Sequence, residues 1–341
     1  MAILRNQFND ALTNIEINGR KAKRAQEAHI EIREVLEADA KLKEWGVDTK
    51  LIGSYSRDTG IYPGKDVDVF AKLTLLTTSA LPKEVCEEVW RVLKNKYGDA
   101  KEGGRASQQA RSIKVAFPDD DFAVDSVPAV RDGGRWAIPA KDRNRWVGST
   151  GRWVTTDPER FGDLSSALST SPNSPVVGGR NAYKPIVKLM RQTRRIHLGD
   201  ARPGGLYIEF ATYELWYAGL VAGAEWDPLF AQTLRGVAAR LESARYLPLV
   251  DPGLGTPVEP ALSDEELKQA AEVFRGLADA AELALKEDDC RAAVRWREIL
   301  GGNERAAIVF PLPPGCAADG RKIVVPAIIT PARRSEAHGF G

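Results

Sequence analysis

Apolar residues recur three and four positions apart at Ala25, Ala28, Ile32, Val35 and Leu36, so residues 10–42 read as one long amphipathic helix with a break at Gly19. A helix of that length can brace two lobes at once. After Gly46 the period shortens to two, and residues 66–75, 111–117 and 122–127 read as strands, with a helix over Pro82–Tyr97 between the first two. This mixture predicts an α/β lobe. Residues 131–180, rich in Trp, Pro, Ser, Gly and Arg, read as long irregular connections. Beyond them the helical period returns over residues 183–197, 205–222, 228–241 and 263–286, the last opening on the capping-box sequence Ser263-Asp264-Glu265-Glu266. The division expected is therefore a catalytic α/β lobe over residues 1–180, a mostly helical lobe over 181–330 and a loose tail over 331–341.

Composition changes this picture little. A chain of 341 residues exceeds the size at which one core usually stops growing, which fits two lobes, and 43% apolar with 28% charged residues is ordinary for a soluble protein. With a net charge of +1, attraction for phosphate has to come from local clustering. Residues 183–198 supply such a cluster in Lys184, Lys188, Arg191, Arg194 and Arg195, with no acid among them. Cys86, Cys290 and Cys316 are widely spaced, odd in number and not arranged with the three histidines as zinc ligands, which fits a reducing cytoplasm. The opening residues turn polar too early for a signal peptide, and the longest apolar stretch, near 215–224, is too short to span a bilayer. The expectation is a cytoplasmic protein with no membrane anchor.

The chemistry concentrates in LIGSYSRDTGIYPGKDVDVFAKL, residues 51–73. Strand alternation puts Asp66 and Asp68 on one face, where hard divalent cations can bridge their carboxylates, and turns Val67 and Val69 to the other. Gly53-Ser54 permits a tight turn whose backbone N–H groups, with the Ser54 hydroxyl, can hold triphosphate oxygens. A third carboxylate, Asp125, interrupts the apolar run FAVDSVPAV and is either satisfied by hydrogen bonds or a metal ligand. Together the three fit two-metal phosphoryl transfer, in which Asp125 completes the site of the attacking hydroxyl and can accept its proton. Asp119, Asp120 and Asp121 after Pro118 read as a solvated hairpin turn. Lys184, Lys188, Arg191 and Arg195 share one helix face, either solvated or set against a triphosphate. The aromatics Trp136, Trp146, Trp153, Tyr207, Tyr213, Trp216 and Tyr217 read mostly as core, with Tyr207 the first choice to stack a base.

Gly53-Ser54, Arg57-Asp58-Thr59-Gly60-Ile61, Asp66-Val67-Asp68-Val69 and Val124-Asp125-Ser126-Val127-Pro128 together resemble the bacterial cyclic GMP-AMP synthase/DncV-like nucleotidyltransferases of antiphage signalling, in the polymerase β-like superfamily. Val187-Lys188-Leu189-Met190-Arg191 is similar to that family's triphosphate-binding helix, and LPLVDP at 247–252 to its hydrophobic-Asp-Pro segment. The resemblance implies a polymerase β-like lobe with a mixed sheet and an oligoadenylate-synthase-like helical lobe. It also implies Mg2+ or Mn2+ at Asp66, Asp68 and Asp125, nucleotide contacts from Gly53, Ser54, Lys188, Arg191 and Tyr207, and a cyclic oligonucleotide second messenger made from ATP, GTP or other nucleoside triphosphates for a downstream effector. Where relatives often carry Ser-Tyr before Leu-Glu, this chain has Gly205-Leu206-Tyr207-Ile208-Glu209, so a serine contact to phosphate is absent. No zinc-binding insertion is visible, so activation by DNA is not implied. In some relatives a ubiquitin-ligase-like partner joins the C-terminal carboxylate to a target, which here would be that of Gly341. A linear oligonucleotide synthase, an RNA 3′-end nucleotidyltransferase and a nucleotide-binding pseudoenzyme remain open as alternatives.

Overall fold

A computed structural model of the chain describes residues 4–148, 150–259 and 261–323. The long N-terminal helix is indeed broken: α1 (Arg5–Ile15) ends, and α2 (Gly19–Ala38) starts afresh under the Asn18 side chain, which accepts the Lys21 N–H. The break divides allegiance. Phe8, Ala11, Leu12 and Ile15 of α1 are buried in the helical lobe, whereas Ala25, Ala28, Ile32 and Leu36 of α2 are buried against the sheet. The segment thus braces both lobes, each half through its own apolar stripe.

After the short α3 (Ala40–Glu44), the sheet begins with β1 (Val47–Ile52), then a four-residue helix α4 (Gly53–Ser56) and the long β2 (Asp66–Thr77). Helix α5 (Pro82–Tyr97) covers one face; β3 (Ala106–Gln108), β4 (Ile113–Phe117) and β5 (Phe122–Asp132) follow. The strand order is β1-β2-β5-β4-β3, with β2 and β5 parallel and the other neighbours antiparallel. Pro118–Asp120 forms a single helical turn between β4 and β5, consistent with a turn reading of the three aspartates, although Asp120 is held by Arg24 at 3.0 Å.

Residues 131–180 are more regular than their composition implied. They hold β6 (Arg135–Pro139), which pairs with the end of β5, β7 (Trp153–Thr156), and helix α6 (Pro158–Ser169). The start of α6 carries an Asp157 cap to the Arg160 N–H with proline in the first turn, a local signal that the surrounding Gly, Ser and Trp obscured. The helical lobe is built from α7 (Tyr183–Leu198), α8 (Gly205–Tyr217), α9 (Trp226–Ser243), α10 (Asp264–Ala284) and α11 (Asp289–Leu300), around a core that includes Trp216, Trp226, Phe274 and Trp296. The capping box at Ser263 and Glu266 is formed.

Past α11 the chain doubles back and buries Val309 and Phe310 in the helical core. That return brings Cys316 to Cys290, and the two are disulfide-bonded with Cα atoms 5.2 Å apart, while Cys86 is free and buried. The cysteine spacing gave no sign of this pair, which only the return makes possible, and it is a bond that a reducing compartment would open. No helix among the described residues is long and apolar enough to cross a membrane. Gly341 and the tail lie outside the described residues.

Candidate active site

The site forms where β1, β2 and β5 run side by side and α7 and α8 close over their ends. Parallel pairing places Asp68 directly beside Asp125, and antiparallel pairing places Ile52 beside Asp68 on the other side. The chain then turns at Gly53 with φ +76°, and a Cβ there would lie 2.2 Å from the Asp68 carboxylate. Conformation and space both demand glycine, so the turn is pressed against the carboxylate by design of the backbone. Ser54 follows in α4, as the Gly-Ser reading expected.

The aspartates are electrostatically unsettled. Burial, then the neighbouring Asp125 and Asp66, push the Asp68 carboxyl up to about 6. Burial likewise raises Asp125, against the opposing pull of Lys114, and one of its carboxylate oxygens is buried with no hydrogen-bond partner. Asp66 is exposed at the rim, with Lys114 Nζ at 3.4 Å. Among the described residues, no three acidic, histidine or cysteine side chains are gathered tightly enough to hold an ion as they stand.

Asp68 opens on a cavity of about 320 Å3, lined also by Gly53, Ser54, Arg57, Arg111 and Arg191. Its cationic wall is organised by a fully buried acid that sequence reasoning did not single out. Glu209 of α8 accepts from Arg57 Nε at 2.8 Å and Nη2 at 3.0 Å, from the Thr59 hydroxyl at 3.0 Å and from Arg191 Nη1 at 3.1 Å. Burial pushes Glu209 up, but the Arg57 charge and hydrogen bonds outweigh it and hold the carboxyl below its usual range. Arg57 is in turn stacked over the Phe161 ring at 4.9 Å. No local pattern marks this cluster, because Arg57 and Thr59 lie 150 or more residues from Glu209 and only Arg191 is nearer.

The structure separates the expected nucleotide-binding residues. Arg191 reaches the cavity. Lys188 does not: it is 4% exposed and bonded at 2.9 Å to both Glu16 and Asp58, in an adjacent cavity whose wall includes Ser54 and Arg180. One turn of helix separates a residue facing the Asp68 cavity from one buried in a joint between α1, α7 and the loop after α4. Tyr207 is likewise displaced. Leu206 and, one turn on, Phe210 line cavities, whereas Tyr207, one step further round α8, packs on the helical core in the field of Arg240 and Glu214. Arg194 and Arg195 are spent on backbone carbonyls.

A mixed sheet presenting paired aspartates beneath a Gly-Ser turn, with a helical lobe supplying cations, defines a polymerase β-type nucleotidyltransferase. The profile of the Second Messenger Oligonucleotide or Dinucleotide Synthetase domain matches residues 1–165. The chain is 30% identical over 316 residues to a cyclic AMP-AMP-AMP synthase of an Acinetobacter species, spanning 87% of this chain and 84% of that protein. In fold it is similar to Escherichia coli MS115-1 CdnC with ATP (14% identity, TM-score 0.66, 91% of this chain and 99% of that one). It is also similar to Bradyrhizobium diazoefficiens CdnG with GTP (17% identity, TM-score 0.66, 83% and 93%). The chain belongs to the cyclic GMP-AMP synthase/DncV-like nucleotidyltransferase family and is a cyclic oligonucleotide synthase.

Proposed function

We propose that this chain condenses ATP into a cyclic oligoadenylate with a divalent cation held by Asp66, Asp68 and Asp125, releasing one pyrophosphate per bond. The observation that carries the reading is the Asp68-Asp125 pair, side by side on parallel strands with an unpartnered carboxylate oxygen, beneath the Gly53 turn at the edge of a cationic cavity. Such an arrangement costs stability unless a cation is supplied, and an all-carboxylate donor set suits Mg2+ or Mn2+. The bound ion would lower the pKa of the attacking hydroxyl and offset charge on the pyrophosphate.

The chain's own residues then divide the work. The Gly53 and Ser54 backbone and the Ser54 hydroxyl hold triphosphate oxygens from one side, and Arg191, with guanidinium N–H groups left over from Glu209, holds them from the other. The acceptor hydroxyl oxygen bonds to the α-phosphorus as the bond from that phosphorus to pyrophosphate breaks, and its proton passes to Asp125. Adenine preference is supported by the relative that makes cyclic AMP-AMP-AMP. A ring of this kind suits a second messenger in antiphage defence, read by a separate effector.

Mass spectrometry of the products formed from all four triphosphates with Mg2+ or Mn2+ tests the reading. A phosphatase-resistant cyclic adenylate is expected; a linear oligonucleotide, or a ring without adenine, would overturn it.

A further inference from the structure

The cavity at Asp68 does not end at its own wall. A second cavity of about 410 Å3 adjoins it, lined among others by Thr155, Phe210, Asp251 and Leu254. The two share Arg111, Ile138, Thr156 and Leu206. Each is of a size to take a nucleoside. Of the four shared residues only Arg111 is charged.

Arg111 is also unlike the other arginines of the site. Arg57 and Arg191 are bonded to Glu209, and Arg194 and Arg195 to backbone carbonyls. Arg111 is exposed to the cavities and makes no hydrogen bond or ion pair among the described residues. The loop that carries it, between β3 and β4, is nevertheless built. Gln109 N–H donates to the Ser112 carbonyl at 2.8 Å. From the outer side Arg143 donates to the Gln108 side chain at 3.3 Å and to the Gln109 and Ala110 carbonyls. A free guanidinium on a clamped loop is pre-positioned for an anion.

We propose that Arg111 holds the phosphodiester that joins two nucleosides of a linear intermediate, one nucleoside lying in each cavity. The chemistry follows from position: with the 5′-triphosphate end at Gly53, Ser54 and Arg191, the next internucleotide phosphate falls on the wall that the cavities share, where one cation waits. A single triphosphate has no such group and has less use for Arg111. The inference deepens the oligonucleotide-synthase reading and rests on it.

The test is equilibrium binding in magnesium, by calorimetry, of two non-reactive probes: the α,β-methylene analogue of ATP, and a linear adenylate dinucleotide carrying the same methylene triphosphate. Arg111→Ala should weaken the dinucleotide by roughly ten- to a hundredfold and the mononucleotide by less than about threefold, with Arg111→Lys recovering part of the loss. Arg111 makes no hydrogen bond among the described residues and acts on Asp68 only through its charge, so the variant should stay folded, which a thermal melt checks. Equal weakening of both probes, no weakening of the dinucleotide, or a dinucleotide bound no more tightly than the mononucleotide by the wild-type protein would each overturn the proposal. Its failure is distinguishable from failure of the function: a wild-type protein that makes the ring while Arg111→Ala binds dinucleotide normally refutes the site alone. A protein that makes no ring yet shows the selective loss refutes the cyclic product alone.

Discussion

Two sets of acids at the Asp68 cavity are handled in opposite ways: Asp68 lines it, with Asp125 beside it on the next strand, while Glu209 lies behind its cationic wall. Glu209 is completely enclosed yet carries four hydrogen bonds, two of them from a bidentate arginine, and its carboxyl is held below the usual range. Asp68 and Asp125 lie beside one another with one oxygen unpartnered, and Asp68 is pushed up to about 6. The first group is complete without a ligand. The second is left incomplete by the protein, and a group that costs stability at the edge of a cavity is the mark of a site kept for binding rather than for folding. Position in the fold explains the division: Glu209 comes from the helical lobe and ties it to the loop after α4, while the aspartates stand on the two parallel central strands.

The sharpest way to break that comparison is to remove each group and read activity and stability together. The double substitution Asp66→Ala and Asp68→Ala should abolish product while leaving the melting temperature equal or higher, because two repelling carboxylates disappear with no partner stranded except Lys114 at the exposed rim. Pyrophosphate release by a folded double mutant would refute the assignment. Glu209→Ala should do the reverse in kind, costing about 3–5 kcal/mol of stability because it leaves Arg57 buried and uncompensated. Urea unfolding measures this, and a loss below about 1 kcal/mol would mean that Glu209 is not the joint described here.

Which parts of the site were legible follows from the same contrast. Asp66, Asp68 and Asp125 could be read because strand alternation is local and a carboxylate in an apolar run is conspicuous. Gly53 could be read because a turn with positive φ needs glycine. Arg57 sat within the motif but gained a role only through Glu209, 152 residues away, and nothing local announces such a partner. On α7 the helical period correctly put Lys188 and Arg191 near each other, but it could not show that Glu16, arriving from α1, would bury one and leave the other at the cavity. Tyr207 lies off the cavities for a smaller reason, one residue of helical rotation from Leu206. The irregular composition of 131–180 likewise hid β6 and β7, which pair across a long Gly- and Arg-rich connection, and α6, which packs on the helical core outside the segment.

That division on α7 gives the next prediction. Arg191→Ala should raise the Michaelis constant for ATP by roughly ten- to a hundredfold, the worth of one charged phosphate contact of about 1.5–3 kcal/mol. Lys188→Ala should instead lower stability, since the half-buried Glu16 loses one of its two cations and keeps only Arg180, and should change the Michaelis constant less than Arg191→Ala does. Steady-state kinetics with thermal melts of both variants decide the matter; the reverse ranking of Michaelis constants would return Lys188 to the phosphate.

The smallest effect is a pH dependence whose sign differs between the two groups. For Asp68 the folded carboxyl lies above its ordinary value of 3.8, at about 6, so the folded state binds the extra proton within that window. Stability then falls as pH rises from the ordinary value through about 6, and acidification through the same interval restores it. Glu209 works the other way: its folded carboxyl lies below the ordinary 4.5, so its contribution is present above that value and is lost as pH falls through the depressed one. Asp227 in the helical lobe is also raised by burial to about 6 and adds to the first trend without touching the site. Melting temperatures measured across the acidic range with a chelator present should therefore climb on acidification toward the ordinary carboxylate values and drop below them. Asp68→Asn and Asp227→Asn should each flatten the climb in part, and the raised Asp125 and Asp251 carboxyls sustain some of the remainder. A profile that Asp68→Asn leaves unchanged would mean that this carboxylate is already compensated in the free protein, and the contrast with Glu209 would be lost.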